Sequence, residues 1–210
     1  MTAPVRLLVA TRNAGKVREI DEILAGYPEI QVVGLAALGL PVSPREDEIE
    51  AFDTFEENAL AKARYFAGLT GYRTLADDSG ICVDALGGAP GVRSRRFADR
   101  GDLRGPEQDR ANNELLVQRL AGRAGDERGA RYVCAAALAW PDGREAVFRG
   151  ECVGVLLEAP RGSGGFGYDP LMYLPAEGAT FGELAPERKN EVSHRGRAVR
   201  QAAEHLRARG

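Results

Sequence analysis

Apolar residues fall along this chain in short blocks whose spacing switches between strand-like and helical. Residues 5–10, Val-Arg-Leu-Leu-Val-Ala, read as a buried strand, and Val17, Ile20, Ile23 and Leu24 follow at helical spacing. Residues 30–33 form a second strand candidate, succeeded by a loop rich in proline and acid. Thr54 and Glu57 have the spacing of a capping box, with Thr54 as N-cap and Glu57 at N3. The helix behind it is predicted over residues 55–70, with Phe55, Ala59, Ala63 and Phe66 inward. Asn58 and Lys62, four apart, share another face. Pro106 fits the first turn of a further helix whose apolar stripe is Leu115, Leu116 and Leu120, and residues 122–129 read as a polar turn. Residues 132–140 and 145–157 are long apolar runs joined by Pro141-Asp142-Gly143, a hairpin signal. Their apolarity is continuous rather than alternating, which predicts helices on both faces of the sheet. The last helix starts at an N-cap, Ser193, and ends near Arg209, with Val199, Ala202, Ala203 and Leu206 inward.

Bulk composition narrows the function classes. The 210 residues suffice for one large domain or two small lobes with a sizeable core. A net charge of -3 is too small to draw nucleic acid or a membrane surface by bulk attraction. Any anionic ligand must then be held by locally placed Lys and Arg. Cys82, Cys134 and Cys152 lie in apolar runs with no Cys-x-x-Cys spacing, which argues against zinc and against a disulfide framework. No signal-peptide pattern opens the chain and no window reaches membrane-spanning length, so a cytoplasmic protein is expected.

Three stretches carry candidate chemistry. Asp77 and Asp78, followed by Ser79 and Gly80, sit between two short apolar runs, Thr74-Leu75-Ala76 and Ile81-Cys82-Val83. Adjacent carboxylates repel, so they call for water, a cation or a metal; ordinary turn chemistry is the alternative. The loop Thr11-Arg12-Asn13-Ala14-Gly15-Lys16 joins a strand to a helix, the arrangement that binds phosphate through loop N–H groups and the helix N-terminus. It lacks the Walker A pattern, and a plain turn with a solvated lysine fits it as well. Gly162 to Pro170 presents Phe166 and Tyr168 among glycines: either a platform for a base or a hydrophobic plug. Lys189, His194 and Arg195 add cations near the C-terminus; an Arg in a helix's first turn opposes the helix dipole unless it serves a ligand. Arg93, Arg95 and Arg96 either meet phosphates or are exposed loop charge. Oxygen ligands at Asp77, Asp78 and Glu50 suit Mg²⁺ or Mn²⁺ rather than zinc. Distributed cations suit a polyphosphate and an aromatic ring suits a base. A metal-dependent nucleoside triphosphate hydrolase follows.

Five motifs in order resemble the inosine triphosphate pyrophosphatase family, the Ham1 or RdgB-like proteins. They are the loop of residues 11–16, Thr54-Phe55-Glu56-Glu57-Asn58-Ala59 with Lys62-Ala63, the stretch of residues 77–91, Gly165-Phe166-Gly167-Tyr168-Asp169-Pro170, and Ser193-His194-Arg195-Gly196. The resemblance implies an α/β fold with an elongated mixed β-sheet flanked by helices, as a single domain over residues 1–210. Its two lobes would interleave along the chain, with the active-site cleft between them. It implies hydrolysis of non-standard purine triphosphates (ITP, dITP, XTP) to the monophosphate and pyrophosphate, with Mg²⁺, in a homodimer. Carried over by motif, Asp78 is the general base and a metal ligand, and Glu50 the other metal carboxylate. Thr11, Arg12, Asn13, Ala14, Gly15 and Lys16 hold phosphates with Ser79 and Lys189. Phe166, Gly167, Tyr168 and Asp169, with His194 and Arg195, hold the base.

Three rival readings make different demands. A Maf-type nucleotide pyrophosphatase would prefer modified pyrimidine or ordinary nucleotides. A non-catalytic nucleotide-binding module would not need the Asp77-Asp78 pair. A serine hydrolase would use Ser79 or Ser163 with His194 or His205, but no nucleophile-elbow pattern is present.

Overall fold

Seven strands form one mixed sheet in the order β2-β1-β3-β4-β5-β6-β7. The computed structural model describes residues 4–49, 51–101 and 103–209. β1 (Val5–Val9) is central enough to pair in parallel with both β2 (Ile30–Gly34) and β3 (Arg73–Val83). β4 (Gly129–Ala139) and β5 (Glu145–Leu156) follow as the expected hairpin, closed by Trp140 N–H donating to the Arg144 carbonyl at 2.9 Å. β6 (Met172–Leu174) and β7 (Ala179–Thr180) add short antiparallel strands that the sequence pattern does not announce.

Six helices are described: α1 (Ala14–Leu24), α2 (Arg45–Ile49), α3 (Phe55–Thr70), α4 (Gly105–Arg119), α5 (Pro186–Val192) and α6 (His194–Arg209). α3 has the predicted bounds, and its cap is as read: Thr54 Oγ1 accepts from Glu57 N–H at 3.2 Å. Ser193 caps α6 by accepting from Gly196 N–H at 3.0 Å. α2 lies in the stretch expected as loop, and α5 was not foreseen.

The chain divides into two compact units, and the division falls inside β3, between Asp78 and Ser79. The first unit holds the chain up to Asp78, Cys134–Gly150 and Asn190 onward. Its core gathers Leu7 and Val9 of β1, Ile20, Ile23 and Leu24 of α1, and Ala198, Val199, Ala202, Ala203 and Leu206 of α6. The second unit holds Ser79–Val133 and Glu151–Lys189. It buries Ile81, Val83, Leu116, Leu120, Leu156 and Phe181. β4 is covered on both faces, as its continuous apolarity predicts, whereas β5 alternates between buried and exposed positions. Expecting β5 to be covered on both faces was therefore wrong: Val147 and Val153 point to the exposed face, Val153 at 72%.

Two glycines fix how α6 enters the first unit. A Cβ at Gly196 would collide with the Asn190 carbonyl oxygen, and one at Gly150 with the His194 carbonyl oxygen. Only hydrogen fits at either place. Among the described residues no helix is long and apolar enough to cross a membrane.

Candidate active site

The largest departure from the sequence reading is at the paired carboxylates. Asp77 and Asp78 lie in the middle of an eleven-residue strand, not in a turn between two short ones. Alternation along β3 sends them opposite ways. Asp77 is 1% exposed and Asp78 half-buried.

Burial of Asp77 is compensated by charge. Lys16 Nζ lies 3.0 Å from Asp77 Oδ2, and Arg195 Nε donates to the same oxygen at 3.2 Å. Arg195 also pairs with Glu19. Burial alone would raise the Asp77 carboxyl, but Lys16, Arg195 and Lys62 outweigh it and hold it well below the usual carboxylate range. The Cys134 thiol, 3.9 Å from Asp77 Oδ2, is pushed up to about 12 by burial and by that carboxylate. Asp77 is thus a buried ion-pair residue, which corrects its reading as a metal ligand. Lys62 belongs to the same electrostatic group rather than to a solvated face.

This network carries an acid-stability prediction. The folded-state pKa of Asp77 lies below its unfolded value, so the unfolded chain binds the extra proton. The stabilisation is present above about pH 4, the ordinary aspartate value, and is lost as pH falls through the folded value. Urea unfolding midpoints should therefore hold from pH 7 to about pH 5 and drop below about pH 4. Lys16→Met brings the two pKa values together, so its acid limb should be shallower. Equal limbs in the two proteins would refute the assignment.

Asp78 is oriented by a residue the sequence reading left on a helix face. Asn58 is 2% exposed; its Nδ2 donates to Asp78 Oδ2 at 3.2 Å, and to the Phe52 carbonyl at 3.1 Å. Its Oδ1 accepts from Phe52 N–H at 2.9 Å. Asn58 therefore spans from residue 52 to Asp78 with its amide fully engaged. Glu50, the other expected metal carboxylate, lies outside the described residues.

Beside β3, the end of β1 leads into the phosphate-loop candidate. Ala10 N–H donates to the Leu75 carbonyl at 2.8 Å, which keeps this loop alongside the Asp77–Asp78 stretch. Thr11 Oγ1 accepts from Asn13 N–H at 3.2 Å, and Asn13 caps α1 by accepting from Lys16 N–H at 3.1 Å. No acidic residue occupies the first turn of α1, so its N-terminus keeps its positive end. Thr11, Asn13, Ala14, Gly15 and Lys16 lie together between the end of β1 and the first turn of α1.

Arg12 is turned elsewhere. Its guanidinium pairs with Glu46 at 2.8 Å and donates to the Leu40 and Pro41 carbonyls at 2.9 and 2.8 Å. It fastens the 40–46 segment rather than extending the phosphate loop. Arg195, placed at the base by sequence reading, is likewise committed: at 2% exposed, its guanidinium serves Asp77 and Glu19. The dipole argument for a ligand there fails because these two carboxylates already answer the charge. His194 is 3% exposed at the start of α6.

In the second unit, Phe166, Gly167, Tyr168, Asp169 and Lys189 form one cluster. Asp169 Oδ2 accepts from Phe166 N–H at 2.8 Å and from Lys189 Nζ at 2.5 Å. Lys189 Nζ stands 5.0 Å from the Phe166 ring centre, a cation–π contact. Lys189, assigned to the phosphates by the sequence reading, here contacts the Phe166 ring and Asp169. Tyr168 is buried, its phenol raised well above its ordinary value, and it donates to the Ser94 carbonyl at 2.8 Å. A Cβ at Gly165 would strike the Asp169 carboxylate, and φ there is +74°, so glycine is required twice over. Ser79 lies half-buried in β3, where this unit begins.

Two residues that the sequence reading missed grip this loop. Asp109 Oδ2 accepts from Gly167 N–H at 2.8 Å, and Asn113 Nδ2 donates to the Gly167 carbonyl at 3.0 Å. Burial raises the Asp109 carboxyl against the opposing pull of Gly167 N–H and Arg95. The available signal was a polar stripe, Gln108, Asp109, Asn112 and Asn113, on a helix whose apolar stripe begins only at Leu115.

Among the described residues no group of three His, Cys, Asp or Glu side chains is placed to hold a metal. A magnesium-type site takes one or two carboxylates and fills its remaining positions with water and substrate phosphate. Asp78, a hard oxygen donor held in orientation by Asn58, meets that demand.

Comparison with known proteins places these features in one lineage. The Ham1 family description matches residues 7–205. The dITP/XTP pyrophosphatase of Symbiobacterium thermophilum is 49% identical over 202 residues, covering 96% of this chain and 94% of its own. That of Streptomyces coelicolor is 50% identical over 198 residues, covering 93% and 94%. Among solved structures, a HAM1 protein from Coxiella burnetii matches with a TM-score of 0.82 at 33% identity, over 97% of this chain and 99% of that one. A nucleoside-triphosphatase, or dITP/XTP pyrophosphatase, from Mycobacterium abscessus matches with a TM-score of 0.69 at 40% identity, over 94% and 97%. Similarity of this extent, in sequence and in fold, shows that the chain belongs to the Ham1 family.

Proposed function

We propose that the chain hydrolyses dITP, ITP and XTP to the nucleoside monophosphate and pyrophosphate, removing non-standard purines from the nucleotide pool. The observation that carries the reading is the Asp78 carboxylate, oriented by Asn58 and set on the strand beside the Lys16 loop. The dITP/XTP pyrophosphatases that match this chain nearly end to end support the choice of reaction.

Asp78 takes the proton of the attacking water as general base. The water oxygen bonds to the α-phosphorus as the bond to the bridging oxygen breaks, and pyrophosphate leaves. Lys16 and the N-terminus of α1 neutralise phosphate charge with Thr11 and Asn13, and Ser79 is read as a further phosphate contact. A divalent ion, Mg²⁺ with Mn²⁺ as a substitute, would be held by Asp78 and Glu50 and would supply charge neutralisation at the phosphates. Phe166 is the platform for the base. His194 is read as a donor for the O6 carbonyl of a keto purine, where adenine's amino group would present another donor instead of an acceptor, and Lys189 stands over the Phe166 ring. Arg195 acts at one remove, by holding Asp77. In keeping with the family resemblance, we read the protein as a cytoplasmic homodimer of single-domain, two-lobed chains.

The test is pyrophosphate release from dITP, XTP, GTP, ATP and a modified pyrimidine triphosphate, with Mg²⁺ and with EDTA. Release from dITP should be about a thousandfold faster than from ATP and should stop in EDTA. Preference for the pyrimidine would favour the Maf-type reading, and binding without release would favour a non-catalytic module.

A further inference from the structure

We infer that Asp109 and Asn113 are positioning residues that set the pose of Phe166, and hence the affinity for the purine base, by gripping Gly167 from both sides. The inference rests on the reading of Phe166 as the base platform. Asp109 and Asn113 are four apart on α4 and so share a face. One accepts from the Gly167 N–H and the other donates to the Gly167 carbonyl, so both polar groups of that residue are bound to one helical turn. Gly167 has φ +62°, a conformation that leaves its orientation to whatever holds it. It is the next residue after Phe166, so fixing its N–H fixes the peptide plane from which the ring projects.

Other contacts of the loop reach residues outside α4: Tyr168 Oη donates to the Ser94 carbonyl at 2.8 Å, and Asp169 N–H to the Phe166 carbonyl at 3.3 Å. Phe166 N–H and Lys189 Nζ converge on Asp169, which sets the cation above the ring but does not tie the loop to α4. The helix itself has separate anchors. Leu116 and Leu120 are fully buried, and Asn112 bonds to Ala98 N–H and to the Ser94 and Arg95 carbonyls. Removing Asp109 or Asn113 therefore loosens the loop without unseating α4.

The experiment compares wild type with Asp109→Ala, Asn113→Ala and Asp109→Asn. It reads KM and kcat for dITP, competitive inhibition by deoxyinosine monophosphate and by inorganic pyrophosphate, and the melting temperature. The two alanine variants should raise KM and the monophosphate Ki about tenfold, with kcat within about twofold and the pyrophosphate Ki unchanged. Asp109→Asn keeps an oxygen that accepts from Gly167 N–H, so it should stay within about twofold of wild type. An unchanged monophosphate Ki in both alanine variants would overturn the inference, as would both inhibition constants rising together. A wild-type protein that releases no pyrophosphate from dITP would instead defeat the underlying function, and this inference with it.

Discussion

Asp78→Asn should lower kcat for dITP by about a thousandfold while leaving KM within about threefold and the melting temperature unchanged. The substitution is nearly isosteric and keeps an oxygen to accept from Asn58 Nδ2, so the side chain stays where the carboxylate was. What it loses is the ability to take a proton and the charge that a divalent ion would meet. A positioned general base contributes about a hundred- to ten-thousandfold, which sets the size of the effect. The corresponding Asp77→Asn change tests the division of labour between neighbours: its cost should fall on stability. A kcat within tenfold of wild type in Asp78→Asn would remove Asp78 from the chemistry.

The second large effect is structural. Arg195→Met leaves Asp77 without one of its cations and Glu19 without the partner shown for it, inside the first unit. Breaking a buried pair by removing one member costs about 3–5 kcal/mol, because the remaining charge is stranded away from water. For a chain of this size that corresponds to a fall in melting temperature of roughly 6–20 °C. Arg195→Lys should recover only part of it, since a single ammonium cannot span two carboxylates as a guanidinium does. Combining Arg195→Met with Asp77→Asn should be milder than the sum of the two, as one stranded charge is removed. Thermal unfolding of wild type and the four variants decides the matter; an Arg195→Met protein that melts within about 2 °C of wild type would show the pair to be dispensable.

Much of this architecture is legible in the residues, and the failures share a cause. Helix α3, the β4–β5 hairpin and the inward face of α6 are written in local periodicity and capping, so they could be read without knowing their neighbours. The carboxylate stretch could not. Two acids inside a strand look like a turn until Lys16 and Arg195 arrive from distant parts of the chain to make burial affordable. The same nonlocality sets Lys189 over the Phe166 ring and turns Arg12 toward Glu46. Motif resemblance marks out the loops, but local sequence does not tell which of their charged side chains pair with one another. Asn58 and Asp109 escaped notice because a single polar residue on a helix carries no mark of what it will hold.

The carboxylate that Lys16 and Arg195 hold ionised also lies against a sulfur atom. A thiol reacts with oxidants and alkylating agents as the thiolate, and Cys134 has its ionisation displaced to about 12. At neutral pH its sulfur keeps its proton and stays chemically silent, although no disulfide protects it. Burial and the Asp77 carboxylate thus work against Lys16 and Arg195 to hold Cys134 as a thiol, so alkylating agents should reach it only when the first unit opens.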